Sequence, residues 1–191
     1  MRSALSMMLL LTGSLGAVQS ASTLAEDLPH RVETQHIANV IQVHSIVLSG
    51  GLPSGEEAFR ELARLGVRVI ISVDGAKPDV ATAQQFGLRY IHLPHGYDGI
   101  PSKRIAELAK AVRELEGPIY LHCHHGKHRS PAAASVACVS AGLIPDTSAL
   151  AVLELAGTDP HYRGLYQVVK AATRFSEVEL AQIKVDYKEV A

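Results

Sequence analysis

Hydrophobic and polar positions change period along the chain so that strand-like and helix-like segments alternate. Asn39-Val40-Ile41-Gln42-Val43 and Ile46-Val47-Leu48 are apolar runs of strand length, closed by the breaker Ser49-Gly50-Gly51-Leu52-Pro53. Ser54-Gly55-Glu56-Glu57 reads as a capping box, and Phe59, Leu62, Ala63 and Leu65 share a helical face before Gly66 ends the segment. Val67 to Val73 is nearly continuous in apolarity and rich in β-branched residues, the pattern of a strand covered on both faces. A short helix is predicted around Pro78 to Phe86, then a strand from Leu88 to Leu93 and a loop from Pro94 to Pro101. Ser102 is expected to cap a helix whose stripe is Ile105, Leu108, Ala109, Val112 and Leu115. Ile119 to His122 is the next strand and Ser130 to about Gly142 an Ala-rich buried helix, with further helices near Thr147 to Ala156 and Tyr162 to Phe175. The alternation predicts an α/β fold, a mostly parallel central sheet flanked by helices, with its ligand site at the carboxyl ends of the strands.

The first residues follow a different rule. Arg2 precedes the apolar run Ala4 to Leu11, and small residues follow, which is the order of a secretory signal peptide with cleavage near residues 20 to 25. The organisation expected is therefore a signal peptide over 1–22, a leader over 23–38, and one domain over 39–191 with a helical C-terminal part. A spanning helix needs roughly 20 apolar residues, so the short run predicts a secreted or periplasmic protein with no stable membrane insertion after cleavage. An uncleaved signal that anchors the protein to the membrane is the alternative.

Composition narrows the classes. The chain has 191 residues, 47% of them hydrophobic, enough for one core. Lys and Arg number 18 against 19 Asp and Glu, a net charge of -1, so no overall field recruits nucleic acid or an anionic membrane. Two cysteines, Cys123 and Cys138, are too few for a disulfide scaffold or a four-thiolate zinc site. Cys138 follows Ser130 by about 8 residues, roughly 12 Å along a helix axis. That exceeds the roughly 7 Å a disulfide spans, so Cys138 is expected in the core.

Chemistry concentrates between the last strand and the Ala-rich helix, in His122-Cys123-His124-His125-Gly126-Lys127-His128-Arg129-Ser130. A thiol at a helix N-terminus among cations is favoured as thiolate by orphan amides and by the helix dipole. The amides of residues 124–128 would cradle the oxygens of a phosphate, Gly126 lets the backbone curl around it, and Arg129 can close the cradle with a two-pronged guanidinium. Nucleophile, anion cradle and guanidinium converge on one phosphate-sized volume.

This stretch resembles the signature of the cysteine-dependent protein tyrosine and dual-specificity phosphatases: His-Cys, five residues with Gly third, then Arg and Ser or Thr. Every fixed position matches. Asp98-Gly99-Ile100-Pro101, one element upstream, looks like the general-acid loop of small dual-specificity members, although its separation from Cys123 is somewhat short. Residues 46–65 look like the start of that fold in bacterial and related small members, so the resemblance covers about residues 39–142. It implies a dual-specificity-phosphatase-like fold and a small exported enzyme hydrolysing phosphate monoesters through a phosphocysteine intermediate. By the same resemblance Cys123 attacks phosphorus, and Arg129 with the loop residues His124, His125, Gly126, Lys127 and His128 binds the phosphoryl group. Asp98 serves as proton donor, Ser130 assists departure of the sulfur, and His122 supports the loop geometry.

No cofactor and no metal is implied, and the expected partner is a phosphorylated protein or a small phosphoester. Several alternatives stay open. Asp74 or Asp79 could be the acid instead of Asp98. Six of the ten histidines lie between His92 and His128, which admits an exported metal-binding module; a catalytically dead phosphate-binding module and a rhodanese-like sulfurtransferase are further readings. A phosphoinositide or inositol phosphate is a possible substrate, since Lys127 stands where phosphoinositide-directed relatives carry lysine. Directly after the cysteine, however, His124 replaces their second lysine.

Overall fold

The computed structural model describes residues 29–185 and residue 187. The signal segment and its cleavage region lie outside the described residues. Among those described, no helix is long and apolar enough to cross a membrane.

Six strands of the described residues form one sheet: β1 (His30–Arg31), β2 (Ile41–His44), β3 (Val47–Gly50), β4 (Val69–Ser72), β5 (Arg89–His92) and β6 (Ile119–His122). Their order is β1-β2-β3-β6-β4-β5. The pairs β3–β6, β6–β4 and β4–β5 are parallel, and β1 and β2 extend one edge antiparallel. The mostly parallel α/β sheet read from the pattern is therefore the one formed, with a short strand from the polar leader added at its edge.

Among the described residues, seven α-helices surround the sheet: α1 (Gly55–Arg64), α2 (Val80–Gln85), α3 (Ser102–Glu114), α4 (Arg129–Ser140), α5 (Ala149–Ala156), α6 (Arg163–Lys170) and α7 (Glu177–Gln182). Burial divides them between the two faces. Phe59 and Leu62 of α1 and Ala83 of α2 pack with Ile70, Tyr90 and Tyr120 on one side. On the other, α3 to α7 contribute Leu108, Val136, Leu153, Leu165 and Leu180 around Ile71, Ile91 and Leu121. Every residue of α4 from Ser130 to Ser140 is buried. Its small Ala and Ser side chains let neighbouring elements approach it on all sides, and an apolar surface all round belongs in the middle of a core.

Three local expectations are corrected. Ser54 precedes α1 but makes no capping hydrogen bond. Gly55 has φ +75°, which turns the chain at the entry, and the Glu57 carboxylate binds Arg60 instead. Pro101, not Ser102, is the residue flanking α3, and Ser102 lies inside the helix. The helix expected to reach Phe175 ends at Lys170, because the chain turns back so that the Phe175 amide donates to Ser140 O at 2.9 Å. A separate helix, α7, then starts at a true capping box of Ser176 and Glu179.

Candidate active site

In the parallel part of the sheet, Gly50, His122, Ser72 and His92 lie side by side at the carboxyl ends of β3, β6, β4 and β5. The loop 123–128 leaves β6 at this edge and enters α4, so it sits where open α/β sheets bind ligands.

The loop is tied to its surroundings through its carbonyls. His124 O accepts from the Leu52 amide at 3.2 Å, His125 O from Asn39 Nδ2 at 2.8 Å, and Lys127 O from Thr158 Oγ1 at 2.5 Å. With these oxygens committed to neighbours outside the loop, an anion held against it meets amides. Gly126 has φ +71°, and a Cβ there would lie 2.4 Å from Gly51 N and 2.5 Å from Gly50 C. Only glycine meets both demands.

Cys123 is 4% exposed, and its Sγ lies 3.3 Å from Ser130 Oγ. That hydroxyl also donates to Gly50 O at 2.9 Å. A sulfur anion and the carbonyl thus compete for one hydroxyl proton, an arrangement that lets Ser130 turn toward sulfur when charge develops there. Gly50 O accepts the Cys123 amide as well, at 3.4 Å, so the Gly50-Gly51 breaker is a support of the loop.

Arg129 opens α4 at the loop's end. Its Nη2 lies 3.8 Å from Asp74 Oδ2, and its Cζ is 4.5 Å from the centroid of the Tyr97 ring. Its Nε is buried and has no hydrogen-bond partner among the described residues. Asp74 is buried and accepts from the Ala76 amide at 3.1 Å and from Ser72 Oγ at 3.3 Å, so its carboxylate is a fixed counter-charge for the guanidinium. Asp79 instead caps α2, accepting from Thr82 N and Oγ1. Both alternatives for the acid role thus have hydrogen-bond partners within the fold.

Asp98 is exposed in the loop 94–101, beside a cavity of about 290 Å³ lined by Gly96, Asp98, Gly99, Ile100 and Pro101. Its neighbour Tyr97 bears on Arg129, which brings the loop 94–101 next to the N-terminus of α4.

The histidines separate by burial. His122 is fully buried under the loop, its Nε2 bonded to the Tyr90 hydroxyl. Burial pushes its pKa down to about 4, against the opposing pull of Asp74, so the ring is neutral at ordinary pH. His128 accepts the Asp159 amide on Nδ1 at 3.4 Å, and burial lowers its pKa too. His124 and His125 are exposed, their ring centroids 4.4 Å apart. Among the described residues no three His, Cys, Asp or Glu side chains come together as a metal site. Cys138 is fully buried and unpaired, and desolvation pushes its thiol up.

No protein-family model and no curated protein sequence matches the chain. Solved structures do. TpbA of P. aeruginosa has TM-score 0.65 and 21% identity over 78% of this chain and 93% of that one. The chain has the fold of the cysteine-dependent tyrosine and dual-specificity phosphatases. The core catalytic domain of the S. cerevisiae PP-IP phosphatase SIW14 is similar at TM-score 0.61 and 17% identity, over 79% and 93%. PTPMT1 is similar at TM-score 0.54 and 18% identity, over 69% and 92%.

The sequence singled out the loop residues but not their supports. The sequence offers Asp74 only as an acid, whereas in the fold it faces Arg129. Tyr97, Thr158 and Tyr162 carry no local signal, because the contacts that tie them to the site span 31 residues or more of chain, as from Thr158 to Lys127.

Proposed function

We propose that the protein is an exported cysteine-dependent phosphoric monoester hydrolase. One observation carries the reading: on this fold, the β6–α4 loop joins the Cys123 sulfur and the Ser130 hydroxyl to the Arg129 guanidinium, whose Nε has no hydrogen-bond partner among the described residues. Cys123 thiolate attacks phosphorus as the P–O bond to the leaving group breaks, and Asp98 gives that oxygen its proton. Arg129 and the loop amides hold the three non-bridging oxygens, where most catalysis of phosphoryl transfer arises. Water deprotonated by Asp98 then attacks the phosphocysteine. The S–P pair returns to sulfur, which Ser130 stabilises by turning its proton from Gly50 O, and inorganic phosphate leaves.

A phosphotyrosine-type substrate is the principal reading, supported by likeness to TpbA, which has been solved in complex with pTyr. Exposed His124, His125 and Lys127 around the loop favour an inositol phosphate as the second, in line with the name of SIW14 and with the PTPMT1 structure in complex with PI(5)P. The signal-like residues 1–22 support a periplasmic or secreted location, which N-terminal sequencing of the mature protein in cell fractions tests.

Mature wild type is expected to hydrolyse aryl phosphates, and Cys123→Ser to lose turnover while still binding phosphate. Asp98→Asn should slow turnover by roughly 10² to 10⁴, more for poor than for activated leaving groups. Wild-type-like turnover by Cys123→Ser, or activity abolished by chelation, overturns the mechanism.

A further inference from the structure

We propose that residues 157–164, the connection from α5 to α6 together with the first two residues of α6, are a brace that sets the Asp98 backbone against the phosphate loop, with Tyr162 and Gly164 as positioning residues. The inference rests on the assignment of Asp98 as proton donor.

This segment touches both loops. On the phosphate-loop side, Thr158 Oγ1 donates to Lys127 O at 2.5 Å, the Asp159 amide donates to His128 Nδ1 at 3.4 Å, and the Tyr162 ring lies 4.5 Å from that of His128. On the acid-loop side, Tyr162 stacks on Tyr97 with centroids 4.6 Å apart and planes 24° apart. Gly164 lies directly against the Asp98 main chain: a Cβ on it would stand 2.2 Å from Asp98 O, 2.3 Å from its C and 2.7 Å from its Cα. The brace is itself anchored, since Tyr166 donates to Thr158 O at 2.8 Å and Leu165 is fully buried in the main core.

Asp98 is exposed, so its carboxylate takes its position from the backbone that carries it. That backbone is in contact with Gly164, and its neighbour Tyr97 is held between Tyr162 and Arg129 by ring contacts. A proton donor must come within about 2.6 to 3.2 Å of the leaving oxygen, and a 1 Å misplacement costs on the order of 10²-fold. Any side chain at position 164 forces the two backbones apart by roughly that much, because a Cβ contact at 2.2 Å is not tolerated. Two of the phosphate loop's three carbonyl anchors, Leu52 and Asn39, come from outside this segment, and the third, Thr158, lies six residues before Gly164 and is held by Tyr166, so that change leaves the loop anchored.

The test uses the mature protein with Gly164→Ala, Tyr162→Ala, Tyr162→Phe and Asp98→Asn. Rates are measured on phenyl phosphate and on the more activated p-nitrophenyl phosphate, together with inhibition by orthovanadate. Gly164→Ala is expected to lower kcat roughly 10²-fold on phenyl phosphate and less than about tenfold on p-nitrophenyl phosphate, with vanadate affinity within about threefold of wild type. Combined with Asp98→Asn it should cost nothing further, because both changes remove one proton transfer. Tyr162→Ala should show the same pattern more weakly, and Tyr162→Phe should restore wild-type rates. Equal losses on both substrates, additivity with Asp98→Asn, or weakened vanadate binding overturns the brace. If Gly164→Ala does not fold, Tyr162→Ala carries the same readout, and wild-type leaving-group dependence there overturns it. A wild-type rate for Asp98→Asn on phenyl phosphate refutes the acid assignment itself and the inference with it.

Discussion

His122 gives the folded protein an acid-sensitive core. The ring is fully buried against Tyr90 and Tyr120, and its pKa is held at about 4, where an unfolded chain has about 6.5. Between those values the unfolded chain binds a proton that the folded protein refuses, so acidification favours unfolding. Stability from this group is intact above pH 6.5 and is lost as pH falls toward 4. The difference is worth about 2 kcal/mol by pH 5 and about 3 kcal/mol by pH 4, against a usual total of roughly 5 to 15 kcal/mol. His92, His95 and His128 are also lowered by burial and add losses of the same sign. Urea unfolding of wild type and His122→Gln at pH 7 and pH 5 isolates the contribution, because the amide keeps a partner for the Tyr90 hydroxyl without titrating. The stability difference between the two pH values should shrink by about 2 kcal/mol in the variant. An unchanged difference would refute the argument that the buried imidazole is forced neutral.

Three further outcomes are expected. Gly126→Ala should lose about 3 kcal/mol in urea unfolding, from a left-handed alanine and its overlap with Gly50 and Gly51, and should no longer bind phosphate. Asp74→Asn should weaken orthovanadate inhibition about tenfold by freeing Arg129, on the scale of a charge-assisted contact, without the leaving-group dependence of Asp98→Asn; the reverse pattern in rate assays would make Asp74 the acid. In native Cys123→Ser protein, iodoacetamide should leave Cys138 unlabelled until denaturant is added, since full burial denies it both access and ionisation.

The strand–helix alternation and the 122–130 loop were legible in the sequence because each depends on neighbours in the chain. Period 2 or continuous apolarity marks a strand, period 3.6 marks a helix, and Cys123, Gly126, Arg129 and Ser130 need only a strand before them and a helix after them to share one cup. Helix ends were less legible. Ser54 has capping composition, but the φ of Gly55 defeats it, and the end of α6 depends on Phe175 reaching Ser140 across the core. What sits behind the loop was decided by tertiary structure alone. The Asp74–Arg129 pair forms because parallel pairing sets β4 beside β6, and Thr158 reaches the phosphate loop, Gly164 the loop 94–101 and Tyr162 both, because α4 to α6 pack on one face of the sheet. Such contacts join residues far apart in the chain, and no local pattern of hydrophobic and polar positions encodes which distant backbone will meet a given side chain.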